Sequence, residues 1–372
     1  MNKISLYLFI SIILFSCSSS TDPNDSSDNY NRGLLLENIT GNIILPRHEN
    51  LQEKLELLQN LANNFTTDQN SNTLQQLRNG YEQTYIAWQY VEMFNLDKAE
   101  EIDYIQSMNT YPCNTTQINI NIDSQNYNLN DANYISWASQ GLPSLDYMLY
   151  GIEDDTNMVL NVYNSNQSTK YLNYMNDIIH QMILKTNDVC NYWQGNYSNF
   201  IQDDGNTATS SLNKLTNDFI YYYEKGLRAN KIGIPCGKWN NYNIYPVGVE
   251  AYYKKHLSKK LALASLKGCK QFFSGEKFIN ETVETGIFAE SYVNYLDYAT
   301  DNNGLSNEII TTFNNAETKI NNLNNNFVLQ LESNNNLMLE AYDALQDGVA
   351  LLKTEMLAAF KITVDYEDSD GD

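Results

Sequence analysis

The stretch 77-LRNGYEQTYIAWQYVEMF-94 settles the fold class. Leu77, Tyr81, Tyr85, Trp88 and Val91 recur in it at three- and four-residue steps, and Leu74 extends the series upstream. That period lays one apolar stripe along a helix, and such stripes normally face a core. The same period recurs on either side. Before it come Leu51, Leu55, Leu58, Ala62 and Phe65; after it come Leu212, Leu215, Phe219, Tyr223 and Leu227. Leu257, Leu261, Ala264, Gly268 and Phe272 repeat it, as do Ala341, Leu345, Val349, Leu352, Met356 and Phe360. Strand signals are thin. Residues 117–127 alternate loosely through Ile118, Ile120 and Ile122, which reads as a hairpin or an extended loop. Residues 231–246 hold Gly233, Pro235, Gly237 and several asparagines, which reads as a long loop. A polar break falls at Asp203-Asp204-Gly205-Asn206. The expected fold is all-α, with two packed four-helix-bundle-like halves over about residues 33–205 and 206–365.

The 372-residue chain carries a formal net charge of −22, so it repels phosphate backbones and no nucleic-acid partner is expected. Its N-terminus has an export pattern: Lys3, an apolar run from Ile4 to Phe15, then Ser16 and Cys17. Leu14-Phe15-Ser16-Cys17 resembles a bacterial lipobox, which implies a signal peptide over residues 1–16 and a lipidated Cys17. Residues 17–32 are polar and read as a disordered tether. The expected location is outside the cytoplasm, lipid-anchored through Cys17 to the outer membrane, on its periplasmic or its cell-surface face. Cys113, Cys190, Cys236 and Cys269 remain. An oxidising compartment permits disulfides among them, with three possible pairings, and buried free thiols are the equal alternative.

Catalytic patterns are absent. The chain has no HExxH, GxSxG, P-loop or GxGxxG pattern. His48, His180 and His256 stand alone, and each reads as an ordinary polar residue. Residues 366–372 read as a solvated acidic tail. Glu92, Asp146 and Glu250 stand out more, each placed on an expected helix among apolar neighbours. Carboxylates pointing into a bundle core build iron and manganese sites. Capping a helix, or pairing with a nearby Lys or Arg, is the plainer role for each.

Several stretches together resemble the imelysin family of bacterial exported proteins. They are 42-NIILPRHENLQEKLELL-58, 77-LRNGYEQTYIAWQYVEMF-94, 141-GLPSLDYMLYG-151, 231-KIGIPCG-237, 249-VEAYYKKHLSKKLALASLKGCKQFFSG-275 and the end from Ala341. The resemblance implies two bundle-like helical halves. It also implies a link to iron acquisition, and some members are classed as metallopeptidases. The family signature is glycine-x-histidine-x-x-glutamate, whose histidine and glutamate are the proposed metal ligands. Here its positions hold Gly141, Pro143 and Asp146. Proline offers no ligand atom and aspartate a shorter reach. The implied protein is therefore a non-enzymatic binding lipoprotein of iron or haem acquisition. Iron or another divalent metal would be held weakly if at all, with Glu92, Asp146 and Glu250 as ligand-binding candidates and uptake components as partners. The alternatives are a metallopeptidase, using dispersed carboxylates and one of His48, His180 or His256, or a surface protein that engages a protein or glycan.

Overall fold

The computed structural model describes residues 29–279, 282–284, 286 and 288–366. The expected signal peptide, the Cys17 lipobox and the tail beyond Tyr366 lie outside these residues, as does most of the tether.

The chain enters through α1 (Arg32–Ile39) and one π turn into α2 (Leu45–Thr67). Pro46 sits in the first turn of α2, directly after the π turn Thr40–Ile44. In α3 (Ser71–Gln89), the Asn70 side chain accepts from the backbone N–H of Asn72 and of Thr73 in a capping box. The stripes read from the sequence are buried: Leu51, Leu55, Leu58, Ala62 and Phe65 on α2, and Leu74, Leu77, Tyr81, Tyr85 and Trp88 on α3. Short helices follow: α4 (Lys98–Glu101), α5 (Tyr104–Asn109), α6 (Thr115–Ser124), α7 (Tyr134–Trp137), α8 (Gly141–Tyr150) and α9 (Thr156–Tyr163). The long α10 (Ser168–Gln202) packs along α2, which also packs on α3.

The polar break at 203–206 separates α10 from α11 (Ser211–Tyr221). That helix runs on into a π-helical segment, Tyr222–Gly233, followed by turns and a 3-10 turn at Pro246–Gly248. Next come α12 (Ser258–Ser274) and a small antiparallel hairpin of β1 (Lys277–Ile279) and β2 (Thr282–Glu284), with Phe278 opposite Val283. The chain ends in α13 (Tyr292–Thr300), α14 (Gly304–Asn321), α15 (Phe327–Ala350), a π turn and α16 (Leu357–Phe360). α15 packs on α14 and on the π segment, and α12 joins this group to the first by packing on both α14 and α3. The fold is an all-α helical bundle. Among the described residues no helix is long and apolar enough to cross a membrane.

Three expectations need correction. Residues 117–124 are neither hairpin nor extended loop, because 115–124 form α6, and only 125–127 run on as loop. The Asn114 side chain caps it by accepting from Gln117 N–H, and the buried residues Ile118 and Ile122 are four apart while Ile120 is exposed. The long loop begins later than expected, since Lys231 to Gly233 complete the π segment. Finally, neither Glu92 nor Glu250 lies on a helix: Glu92 is in the turn after α3 and Glu250 in the turn after Pro246–Gly248. The open question about the cysteines is answered: Cys113, Cys190, Cys236 and Cys269 are all free thiols.

Candidate functional site

Lys231 holds the two turn carboxylates together. Its Nζ donates to Glu92 Oε2 at 3.0 Å and to Glu250 Oε1 and Oε2 at 2.9 Å each. All three side chains are buried. Burial alone would lower the Lys231 pKa, but Glu250 and Glu92 outweigh it and the net shift is upward, so the ammonium stays charged. Burial pushes the Glu250 carboxyl up, against the pull of Lys231.

Neutral groups complete the network. Asn109 Nδ2, at the end of α5, donates to Glu92 Oε1 at 2.7 Å and to Glu250 Oε1 at 2.8 Å. Its own Oδ1 accepts from Tyr85 OH on α3 at 2.7 Å. Gln89 Nε2 donates to Glu250 Oε1 at 3.1 Å, and Ser265 on α12 donates to Gln89 Oε1 at 2.6 Å. Tyr222 OH donates to Glu92 Oε2 at 3.1 Å. Tyr222 and Lys231 reach the same oxygen because the segment between them is π-helical. Nine residues of α-helix, at about 3.6 per turn, would put them on opposite faces. The wider i→i+5 winding returns them to one face.

Asp146 belongs to a different arrangement. On α8, its Oδ2 accepts from Tyr253 N–H at 2.7 Å and its Oδ1 from Lys254 N–H at 3.0 Å. Burial raises its pKa to about 7, with these two N–H groups acting in the other direction. Gly141 starts α8 at φ +72°, and a Cβ there would lie 2.4 Å from the Met108 carbonyl oxygen and 2.5 Å from that of Ser107. The signature stretch thus docks α8 tightly on α5 and ties it to the 253–254 turn.

Two cavities open beside these groups. One, of about 350 Å³, has Glu92, Asn109 and Tyr222 in its wall together with Tyr111, Asn230 and Tyr245. The other, of about 290 Å³, is lined by Pro143, Asp146, Cys113 and Tyr253, and shares Tyr111 and Pro112 with the first. Burial pushes the Cys113 thiol up to about 12, which leaves it a poor nucleophile.

The donor set does not fit a transition metal. Each Asp146 oxygen accepts one backbone N–H, and Pro143 supplies no second ligand beside it. Glu92 and Glu250 already enclose an ammonium. His48 is buried on α2, its Nδ1 2.8 Å from Ile44 O, and burial lowers its pKa to about 4. His180 is exposed on α10 and His256 is exposed in the turn before α12. Among the described residues no three His, Cys, Asp or Glu side chains are grouped to hold a metal ion.

Of the residues singled out from the sequence, Glu92 and Glu250 come together and Asp146 does not join their network. Lys231, Asn109, Gln89 and Tyr222 were missed. Lys231 lies in 231-KIGIPCG-237, which reads as loop, and nothing in the residue order signals a π-helix.

The search of curated proteins gives no match. Two solved structures share the fold. An iron-regulated protein A precursor from Parabacteroides distasonis is 15% identical at a TM-score of 0.74, over 90% of this chain and 97% of its own. An imelysin-like protein from Psychrobacter arcticum is 17% identical at a TM-score of 0.70, over 91% of this chain and 99% of its own. The family model for imelysin, peptidase M75, matches residues 44–352. With most of its length matched in this way, the chain belongs to the imelysin family.

Proposed function

We propose that this protein is an exported, lipid-anchored binding protein that serves iron acquisition without catalysing a reaction, and that its ligand enters the cavity beside Glu92. The observation that carries this reading is the closed Glu92–Lys231–Glu250 network, whose Glu92 lies in the cavity wall. Its two carboxylates share one ammonium, so neither is free to act as a general base or to hold a metal-activated water. A rigid polar wall beside a cavity of this size suits recognition; ligand pockets span roughly 300–1,000 Å³. The iron context comes from the neighbour described as iron-regulated. Export and anchoring rest on the lipobox-like Leu14 to Cys17.

Asn230 is exposed at the cavity wall, so Asn230→Trp blocks the space without touching the core. Cells carrying this variant should grow under iron limitation as poorly as cells lacking the gene, and the purified protein should not cleave casein with or without added zinc. Wild-type growth of the Asn230→Trp strain would contradict the binding role. Casein cleavage that a chelator stops would favour the metallopeptidase instead.

A further inference from the structure

We propose that the ligand of the cavity beside Glu92 is a neutral glycan, gripped by the aromatic loop over residues 234–247; this rests on the reading of that cavity as a binding site. Charge argues for it first. The charged side chains that line the cavity are Glu92 and Lys225. Glu92 is paired with Lys231 at 3.0 Å, and Lys225 lies 3.0 Å from the buried Glu224, a carboxylate it shares with Arg228 and Lys353. What is left to face a ligand is amides, hydroxyls and rings, among them Gln106, Thr110, Tyr111, Tyr221, Asn230 and Tyr245. Both charged groups already have partners, so an ionic ligand would have to compete with those pairs for compensation of its lost hydration. It suits a molecule rich in hydroxyls.

The loop adds the second observation. From Trp239 to Val249 no Lys, Arg, Asp or Glu occurs, in a chain of net charge −22. The run Trp239-Asn240-Asn241-Tyr242-Asn243-Ile244-Tyr245 alternates rings with amides. Trp239 is 44% exposed, Tyr242 63% and Tyr245 39%. Large exposed apolar groups gathered on one loop mark a contact surface. The loop is rigid: Tyr242 N–H donates to Gly237 O at 2.8 Å, Asn243 N–H to Asn240 O at 2.8 Å and Tyr245 N–H to Pro235 O at 2.8 Å. Trp239 is braced edge-on against Tyr342, with ring centroids 5.5 Å apart. A ring face is electron-rich and attracts the C–H face of a sugar, while neighbouring amides bond its hydroxyls. Tyr245 and Ile234 belong both to the loop and to the cavity wall, so one chain of sugars can enter the cavity and continue along the loop.

The test is calorimetry of the full chain with mannohexaose, cellohexaose, maltohexaose and chitohexaose, beside polygalacturonate, ferric citrate and haem. At least one neutral oligosaccharide should bind at micromolar Kd. Trp239→Ala, Tyr242→Ala and Tyr245→Ala should each weaken it at least tenfold, Tyr242→Ala with a melting temperature near wild type because its ring is 63% exposed, and Asn230→Trp should abolish it. The inference is overturned if no neutral oligosaccharide binds, if binding ignores these substitutions, or if only a charged probe binds and is lost in Asn230→Trp. A growth defect of Asn230→Trp without glycan binding would sink the glycan and leave the binding role standing. Wild-type growth of that strain would sink the binding role itself.

Discussion

Lys231 matters more to this site than any residue its sequence neighbourhood advertises. Removing an ion-pair partner in the interior leaves a buried charge uncompensated, which costs about 3–5 kcal/mol. Lys231→Met should therefore destabilise the protein by about that amount in denaturant titrations at pH 8. Burial already pushes Glu250 up against Lys231's pull, and without Lys231 it rises further above its unfolded value. A raised carboxylate contributes stability at low pH that is lost as pH rises through its folded pKa. The deficit of Lys231→Met should thus shrink at pH 5; a deficit independent of pH would contradict the buried triad. Asp146 has another task. Asp146→Ala strips two buried N–H groups, those of Tyr253 and Lys254, of their acceptor, at about 2–4 kcal/mol. Its pKa is raised from 3.8 to about 7, so its contribution is full below the lower value and fades through the upper one. The gap between wild type and Asp146→Ala should be wider at pH 5 than at pH 8.

At the level of elements, the start of α8 is the most constrained point. Gly141 combines φ +72° with two carbonyl oxygens where a Cβ would go, so Gly141→Ala should cost at least about 2–3 kcal/mol by chemical denaturation. Gly195, on α10 with nothing within 4 Å of its would-be Cβ, makes the contrast: Gly195→Ala should gain roughly 0.5–1 kcal/mol. Long helices such as α2, α3 and α12 are legible in the sequence because their stripes repeat over many turns. α6 is not, because its exposed Ile120 mimics strand alternation between two buried isoleucines. The turn that carries Glu250 is obscured in the same way: its apolar neighbours suggest a helix, yet Ala251 takes φ +55° and breaks the winding. The π segment hides best, since its residues have ordinary helical character and only the wider winding aligns Tyr222 with Lys231.

Across the whole molecule, the helical bundle and the family follow from features spread along the chain, so local misreadings do not disturb them. The candidate site depends on single contacts between distant turns, α3 to α5 to the π segment to the 250 turn, and no periodicity records those. Glu92 and Glu250 are recognisable as carboxylates among apolar residues, but the ammonium between them is a tertiary fact. The account's central claim is that Glu92 and Glu250 are engaged by this ammonium and that Asp146 stands apart from them, so that among the described residues no set of metal ligands is assembled. Calorimetric titration of the full chain with iron(II) and with zinc, wild type beside Asp146→Ala, tests it most directly. The account predicts no stoichiometric uptake by either protein; one metal bound per wild-type chain, and lost in Asp146→Ala, would contradict it.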